Sequence, residues 1–409
     1  MIEIAVLGHG VVGSGVAELL LKNASGIARR AKTEINVKYI LDIRDFPDCP
    51  YKDKFTKDFD VIVKDADVKV IVEVMGGVHP AYDYIMQGLR AGKSAVTSNK
   101  ELVAEKGAEL LKTAKENGVN FLFEASVGGG IPIIRPLHQC LAANEIDEIA
   151  GILNGTTNFI LTKMIKESMP FDDALKMAQE LGYAEADPTA DVDGHDSCRK
   201  ICILASLAFG SHVYPELVHT EGIRNITLDD VLYAGNSGCV VKLIGQAHRT
   251  GDGKIFVRVG PALVPHESQL SSVDDVFNAI LVRGDSTGDV VFYGKGAGKF
   301  PTASAVVGDV IDCINARGNI DSLYWTDSGK DNVAYAKSES VVMYIRCAIN
   351  RDVSAEKIND KFGGVTFLSH DGQRPGEAAF LTAKMPECEI DELAEGLSLL
   401  SKIRVLESE

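Results

Sequence analysis

A short acidic stretch that ends in a lysine is the part of this sequence best suited to chemistry. Residues 182–200 contain five carboxylates and one lysine, and an apolar run follows. A substrate ammonium group needs carboxylates to bind it, and a reaction that moves a proton needs a group that can give and take one. The stretch therefore predicts a site that binds a small amino acid and transfers a proton. The five carboxylates are Glu185, Asp187, Asp191, Asp193 and Asp196, and the lysine is Lys200.

Lys200 is the candidate for the proton-transfer group. It lies four residues after Asp196, so the two side chains share one face of a helix predicted over 196–209. Burial would lower the pKa of the lysine and make it a usable base. A surface ion pair has the same spacing, but the apolar run 201–209 favours a buried helix. Asp196 also stands where a helix-capping acid would stand.

Glu185 and Asp191 are candidates for binding a substrate ammonium or hydroxyl group. Each has a plainer interpretation as a turn residue or an acid at a helix end. For Asp187, which precedes Pro188, the turn is the preferred interpretation. His195 has no partner at a useful spacing and is expected to be exposed.

A glycine-rich turn at residues 8–13 follows the first predicted strand and opens the first predicted helix. Glycines there permit a tight turn and close approach to a pyrophosphate, which the helix N-terminus attracts. The strand–turn–helix context makes this a specific signature of dinucleotide binding. The residues expected to contact the cofactor are Gly8, Gly10, Val11, Val12 and Gly13.

The end of the second predicted strand carries both Asp42 and Arg44. An acid there would bind the ribose hydroxyls of NAD, whereas an arginine would accommodate the 2′-phosphate of NADP. Arg44 favours NADP slightly, and use of both cofactors is expected. Each residue could instead be an ordinary surface charge.

Thr97 and Lys100 follow another short strand and precede a helix. The carboxyl ends of the strands are where ligands bind in a doubly wound sheet. Lys100 could therefore contact both cofactor and substrate, although a solvated lysine in the first helical turn is an equally good interpretation of its position.

The order of predicted elements indicates an α/β fold class with three parts. Strands separated by helices predict a doubly wound parallel-sheet dinucleotide-binding domain over 1–130, completed by 301–320. Residues 131–300 are expected to form an α+β catalytic and dimerisation domain that begins with a helix over 131–143. Polar residues in 321–339 predict a nearly structureless linker. The order strand–helix–strand–strand–helix–strand over 340–409, with the second helix over 390–400 and the last strand over 403–406, predicts a ferredoxin-like C-terminal domain.

Bulk composition excludes several classes of function. A net charge of −16 argues against binding to nucleic acid or to an anionic membrane surface. No apolar segment is long enough to span a bilayer. No secretion signal is recognised, and no Cys-x-x-Cys pair occurs among the eight cysteines, so reduced thiols in the cytoplasm are expected.

Several motifs together resemble the homoserine dehydrogenase family, of the type with a C-terminal extension. The resemblance covers about residues 1–320. It is carried by the segments 8–13, 97–100, 124–132, 151–161, 182–200, 296–298 and 301–306.

The resemblance implies reversible oxidation of L-homoserine to L-aspartate 4-semialdehyde with NAD or NADP, in the branch that leads to threonine, methionine and isoleucine. Lys200 would be the proton donor and acceptor, with Lys100 and Asp196 assisting it. Glu185 and Asp191 would bind the substrate. The remaining assignments that the resemblance implies are Tyr183, Gly155 and Thr156 lining the pocket, Arg44, Thr97, Gly296 and Gly298 at the cofactor, and Glu124, Val127, Gly129 and Ile131 around a sodium ion.

The C-terminal part resembles an ACT regulatory domain, which in relatives senses L-threonine. The loop that commonly reads Asp-x-Pro-Gly-Val is here Asn350-Arg351-Asp352-Val353-Ser354, with neither proline nor glycine. An L-threonine effector therefore remains only a possible partner, and the tail can instead serve assembly. A homo-oligomer, either a dimer or a tetramer, is the default expectation.

Two other functions are compatible with the dinucleotide turn. A related semialdehyde or imine reductase would use the same cofactor, but a phosphorylating semialdehyde dehydrogenase needs an activated cysteine. Cys140 lies in a predicted helix and Cys239 lacks an obvious base. A dinucleotide-sensing regulator without turnover would have no use for a lysine among acids.

Overall fold

The computed structural model describes residues 1–316, 323–350 and 353–407. Predictions that concern 317–322, 351–352 and 408–409 lie outside these described residues. They affect the end of the helix expected to reach Arg317, the start of the linker, two residues of the ACT-like loop, and the C-terminus.

The N-terminal part contains a six-stranded parallel sheet with the order β3-β2-β1-β4-β5-β6. The strand order reverses between β1 and β4, which is where a doubly wound sheet binds its ligand. Most residues of β1, β4 and β5 are buried because helices cover both faces of the sheet. The elements are β1 Ile2–Leu7, α1 Val11–Lys22, α2 Ala24–Ala31, β2 Ile35–Leu41, β3 Phe55–Thr56, α3 Phe59–Lys64, β4 Val68–Glu73, α4 Ala81–Arg90, β5 Ser94–Thr97, α5 Lys100–Glu116 and β6 Phe121–Leu122.

The middle part forms a mixed sheet with helices packed on one face. Strands β9 and β10 pair antiparallel over their whole lengths, and β7 joins β9 to β11. The elements are β7 Ile146–Ile152, α6 Gly155–Glu167, α7 Phe171–Glu180, α8 Thr189–Val192, α9 His195–Phe209, β8 His219–Thr220, α10 Leu228–Asn236, β9 Cys239–Arg249, β10 Ile255–Pro265, β11 Phe277–Gly284, β12 Gly288–Lys295 and α11 Lys299–Ala316. The expected strands near 240–248, 254–261 and 279–284 are present.

The helix predicted over 131–143 is wrong. The chain there makes only a short helical turn around Pro136–Cys140, and strand β7 follows. Pro136 has no amide hydrogen, and the amides of residues 133–135 donate to the Glu124 carboxylate instead of to helical carbonyls. An ordinary helix therefore does not form across this segment.

Helix α11 packs back on the N-terminal sheet. Its buried residues Ala303, Val306 and Val310 share one apolar cluster with Ile4 and Val16. Because α11 follows β12, the last strand of the middle part, it connects the middle part to the N-terminal sheet.

The C-terminal part has the order strand–helix–strand–strand–helix–strand, with an antiparallel sheet β18-β14-β16-β15. Strand β18 also pairs in parallel with β10, so this sheet continues the sheet of the middle part. The elements are β13 Ser340–Val341, β14 Met343–Ala348, α12 Ala355–Lys361, β15 Val365–Leu368, β16 Glu377–Thr382, β17 Met385–Pro386, α13 Glu387–Ala394 and β18 Ser398–Val405. The α/β fold class is thus the predicted one.

The segment that precedes the C-terminal strands is bonded to the rest of the molecule rather than structureless. Trp325 is buried and donates from Nε1 to His212 Nδ1 at 2.9 Å. Asn332 donates to the carbonyl oxygen of His212 at 2.7 Å, and Ala334 donates to that of Ile255 at 2.9 Å. Polar composition alone did not reveal these partners. Within the described residues, no helix is long and apolar enough to cross a membrane.

Candidate active site

Lys200 and Asp196 lie in the first two turns of α9, and both are buried. The helix follows Gly194, whose φ of +85° is a left-handed conformation that glycine adopts without strain. Lys200 Nζ donates to Asp196 Oδ2 at 2.8 Å and to the carbonyl oxygen of Leu153 at 2.7 Å. Burial of the apolar helix therefore carries a lysine–carboxylate pair into the interior, as the spacing predicted.

Lys100 reaches the same carboxylate from the other side of the cleft. It is the first residue of α5, and Asn99 caps that helix through a bond from the amide of Leu102. Lys100 Nζ lies 2.5 Å from Asp196 Oδ1. One buried acid is thus shared by two lysines, one after a strand of the N-terminal sheet and one in the middle part.

The three charges change each other's proton affinity. Burial lowers the pKa of Lys200, Asp196 acts in the opposite direction, and the positive charge of Lys100 adds to the lowering. Burial alone would raise the pKa of Asp196, but the two lysines hold it below its usual range. For Lys100, burial acts to lower the pKa, and Asp196 outweighs it so that the pKa is raised. Of the two lysines, Lys200 is thus the one whose pKa is lowered.

Asn154 joins this cluster to Asp191. Its side-chain amide donates to Asp191 Oδ1 at 2.7 Å and to Asp196 Oδ2 at 2.9 Å. Its side-chain oxygen caps α6 through the amide of Thr157 at 2.8 Å. Burial raises the pKa of Asp191, and the neighbouring Asp196 raises it further. The sequence reasoning missed Asn154, although an asparagine before a helix start is a recognisable N-cap.

Three other predicted substrate residues lie together at the start of α6: Gly155, Thr156 and, bonded to Thr156, Tyr183. Thr156 donates from its hydroxyl to the carbonyl oxygen of Tyr183 at 2.7 Å, and the Tyr183 ring lies 5.2 Å from that of Phe159. Gly155 begins α6 beside Val276, where a Cβ would lie 2.7 Å from a carbonyl oxygen. Glu185 is exposed, and within the described residues its carboxylate makes no ion pair with Lys100 or Lys200.

The glycine turn between β1 and α1 has the geometry expected for a dinucleotide site. Gly8 has a φ of +99°, and a Cβ at Gly13 would lie 2.0 Å from the carbonyl oxygen of Gly8. Gly10 precedes α1 and supplies no side-chain cap, which leaves the first amides of the helix available to an anion. Val11 and Val12 are the first two residues of that helix.

Two family models match this chain: "Homoserine dehydrogenase, NAD binding domain" over residues 8–124 and "Homoserine dehydrogenase" over residues 132–311. The chain belongs to the homoserine dehydrogenase family. It is therefore an NAD(P)-dependent oxidoreductase of amino-acid biosynthesis that acts on homoserine.

Relatives and solved structures agree with this assignment. The homoserine dehydrogenase of Bacillus subtilis is 46% identical over 315 residues, which is 76% of this chain and 72% of the relative. A homoserine dehydrogenase structure from Thiobacillus denitrificans is 35% identical with a TM-score of 0.90, and the match covers 99% of this chain and 98% of that one. A hyperthermophilic archaeal homoserine dehydrogenase mutant in complex with NADPH is 30% identical with a TM-score of 0.65, over 76% of this chain and 97% of that one.

In this family member the two residues at the end of β2 are paired with each other. Arg44 donates to both oxygens of Asp42 at 3.0 Å, and the amide of His9 donates to Asp42 at 2.7 Å. Hydrogen bonds from Arg44 hold the pKa of Asp42 below its usual range, although burial opposes them. The amide of His9 fixes Asp42 against the glycine turn, whereas the Arg44 side chain that pairs with Asp42 is 58% exposed.

The remaining predicted cofactor residues, Thr97, Gly296 and Gly298, have different surroundings. Thr97 is fully buried, and its hydroxyl donates to Glu73 Oε2 at 2.5 Å, so this hydroxyl is already engaged within the protein. Gly296 packs tightly, since a Cβ there would lie 2.1 Å from Asn278 Nδ2. Gly298 ends the same loop immediately before α11.

The loop predicted to hold sodium presents oxygen atoms on a fixed support. Glu124 is buried, and its carboxylate accepts three backbone amides from residues 133–135 at 2.6 to 2.9 Å, which leaves capacity for a further ligand. Among the described residues, the carbonyl oxygens of Val127, Gly129 and Ile131 accept no backbone hydrogen bond outside regular elements. A carboxylate and three carbonyl oxygens form a donor set that fits a hard cation.

Proposed function

We propose that Lys200 is the general acid and base for the reversible oxidation of L-homoserine to L-aspartate 4-semialdehyde. The observation that carries the proposal is the placement of Lys100 and Lys200 on the single buried carboxylate of Asp196. A carboxylate shared by two lysines cannot neutralise both, so one lysine of the pair loses its proton more readily.

The hydrogen bonds of Lys200 leave one direction open for the substrate. A neutral amine has two hydrogens and one lone pair, and Leu153 and Asp196 accept from Nζ. In oxidation the remaining lone pair takes the hydroxyl proton of homoserine. In the reverse direction the protonated Lys200 returns a proton to the aldehyde oxygen. NAD(P)⁺, when bound, supplies the acceptor for the hydride that leaves the same carbon.

Lys100 remains charged and stabilises the substrate oxygen as negative charge develops on it. Asp196 holds this ammonium group in place and sets its pKa above the usual value. The same positive charge helps Lys200 to stay neutral. Asp196 acts by positioning and charge, and Lys200 carries the proton.

Asp191 and Glu185 bind the substrate ammonium group. Asp191 lies beside Asp196 through Asn154, and an ammonium between the acids would relieve the repulsion that raises the pKa of Asp191. Gly155, Thr156 and Tyr183 complete the pocket wall. Glu185 contacts the substrate from the exposed rim.

The finer assignments form part of the same proposal. NADP is used with a slight preference over NAD, through Arg44. A sodium ion is held by Glu124, Val127, Gly129 and Ile131, and it would fix the loop between the two parts of the chain. The reaction belongs to the branch that leads to threonine, methionine and isoleucine.

The same proposal includes the division into domains. The dinucleotide-binding domain is 1–130 with 301–320, the catalytic and dimerisation domain is 131–300, the linker is 321–339, and the ACT-like domain is 340–409. The enzyme assembles as a dimer or tetramer. The ACT-like part is a possible site for L-threonine.

The direct test is nicotinamide reduction by purified protein with L-homoserine, with NADP and NAD in parallel and with L-threonine present or absent. Turnover with homoserine supports the proposal, and the two cofactor rates indicate whether Arg44 or Asp42 governs the ribose pocket. Binding of either cofactor without any turnover of homoserine would contradict it. L-Homocysteine and L-threonine as alternative substrates control for specificity.

A further inference from the structure

Glu73 is a buried carboxylate that the proposed chemistry does not use. It is the last residue of β4 and is fully buried. Within the described residues, no lysine, arginine or histidine forms an ion pair with it, in contrast to Asp196. A buried acid without a cation is costly unless hydrogen bonds satisfy it, so its position calls for a reason.

The groups around Glu73 are hydrogen-bond donors. Oε2 accepts from the Thr97 hydroxyl at 2.5 Å, and Oε1 accepts from the amides of Met75 at 2.7 Å and Gly76 at 3.3 Å. The Thr97 oxygen itself accepts the amide of Asn99 at 2.9 Å, which directs its own hydrogen to Glu73. Donors on both oxygens favour the ionised form. Burial raises the pKa of Glu73, and these hydrogen bonds oppose that rise.

Glu73 lies beneath the half of the crevice that would hold the nicotinamide. The glycine turn and Arg44 belong to β1 and β2, which bind the first nucleotide in a doubly wound sheet. Strand β4 lies on the other side of the strand-order reversal, beside β5. Glu73 bonds the loop after β4, and this loop packs against the glycine turn. A Cβ placed on Gly8 would lie only 3.1 Å from the carbonyl oxygen of Val74.

The same network leads to the reacting groups. Thr97 bonds Asn99, Asn99 caps α5, and Lys100 is the first residue of that helix. The carboxylate therefore fixes the floor of the cofactor crevice on one side and the start of the Lys100 helix on the other. In its ionised form, which the donors on both oxygens favour, Glu73 carries a negative charge in a region of low dielectric, where charges act over longer distances than in water.

We propose that Glu73 sets the balance between the oxidised and reduced cofactor by placing a fixed negative charge beneath the nicotinamide. The oxidised ring carries a positive charge and the reduced ring does not, so the carboxylate stabilises NAD(P)⁺ relative to NAD(P)H. Glu73 is a positioning and electrostatic residue, and the inference rests on the proposed binding of the cofactor in this crevice.

The test compares the dissociation constants of both cofactor forms in wild type and in Glu73→Gln, which keeps the shape and removes the charge. NAD(P)H binding is followed by its fluorescence, and NAD(P)⁺ by displacement. The ratio of the dissociation constants, oxidised over reduced, is expected to rise by about fivefold or more in the variant. Glu3→Gln is the matched control, because Glu3 lies at the amino end of β1 and bonds only Asn36 among its described hydrogen-bond partners; its ratio is expected to stay within about twofold of wild type.

A folded Glu73→Gln variant whose ratio equals that of wild type would overturn the proposal. Glu73→Asp keeps the charge and shortens the side chain, so it provides a second test that does not depend on the folding of the first variant. Its turnover is expected to fall while its ratio stays within about twofold of wild type. A fivefold rise of the ratio in Glu73→Asp would contradict the electrostatic role. Failure of the wild type to bind either cofactor form would instead contradict the proposed function.

Discussion

Two buried clusters of charges join different parts of the chain, and they are built differently. The site cluster is one acid between two lysines (Lys100, Asp196 and Lys200). The seam cluster is one arginine among three acids, where α10 meets β14 and β16. It consists of Asp229, Asp230, Arg346 and Glu377, with Arg346 within 3.3 Å of each acid.

The clusters differ in whether their charged side chains can still bind a ligand. In the seam cluster, tyrosine hydroxyls also donate to the acids at 3.0 Å, Tyr344 to Asp230 and Tyr233 to Glu377. In the site cluster the Lys100 side chain is 40% exposed and Lys200 retains one direction for a ligand. A buried cluster in which every charge is paired within the protein can hold parts of the chain together. A cluster in which a charged group can still bind a ligand can take part in chemistry.

Removal of the arginine from the seam cluster should produce the largest effect. Arg346→Met leaves three acids near each other without their cation, and we expect the free energy of unfolding to fall by about 3–5 kcal/mol. The activity per folded molecule is expected to be unchanged. Urea unfolding and a specific-activity measurement would check both.

Arg374→Met is the matched control for that change. Arg374 contacts the same Asp229 at 3.4 Å, but its side chain is 76% exposed. The expected loss of unfolding free energy is below about 1 kcal/mol. Equal destabilisation by the two substitutions would contradict the view that the seam cluster is a buried structural unit.

Removal of the exposed lysine from the site cluster should affect chemistry rather than stability. Lys100→Met is expected to lower kcat by about 100-fold, because a charge that stabilises the developing oxyanion is lost. The pKa of Lys200 should rise, since the positive charge that lowers it is gone. Oxidation needs neutral Lys200, so the pH at which kcat/KM for homoserine increases should move upward.

The pH profile of kcat/KM measures this shift directly. Lys112→Met serves as the control on the same helix, because Lys112 is 76% exposed and pairs only loosely with Glu116 at 4.0 Å. A profile that moves downward in Lys100→Met would show that Lys100 does not lower the pKa of Lys200.

The sequence predicted the Lys200–Asp196 pair but not the groups that complete it. Their spacing of four residues is a property of one helix, and the apolar residues that follow indicated burial. Asn154 was missed because it bridges two acids that only the packing of α6 against α8 and α9 brings within reach. Likewise, Thr97 looked available at a strand end, and only the tertiary structure shows its hydroxyl committed to Glu73.

The fold followed from the pattern more completely than the element boundaries did. The helix expected at 390–400 instead spans Glu387–Ala394, because it begins directly after Pro386 and the chain turns at Gly396 with a φ of +83°. Strand β18 accordingly starts earlier than the expected strand at 403–406. The sequence shows where glycine and proline lie, but which of them ends or begins an element depends on tertiary packing.

The smallest effect is expected for a change at Arg44, the exposed partner of the buried Asp42 side chain. Arg44→Ala removes a side chain that is 58% exposed and paired with Asp42. We expect stability to change by less than about 1 kcal/mol. The ratio of kcat/KM for NADP to that for NAD should fall by about tenfold, because a charged hydrogen bond to the 2′-phosphate is lost.

Lys57→Ala is the control for Arg44, since Lys57 is equally exposed at 58% and pairs with Asp45 at 2.8 Å. It should leave the cofactor ratio unchanged. An unchanged ratio in Arg44→Ala would assign cofactor choice to other residues.

The most direct test of the central claim is the turnover of Lys200→Ala with homoserine, measured together with its affinity for NADPH. Loss of the proton-transfer group is expected to lower kcat by about 100-fold or more, while NADPH binds with nearly unchanged affinity. Turnover within about threefold of wild type, in a variant that still binds the cofactor, would contradict the assignment of Lys200 as the general acid and base.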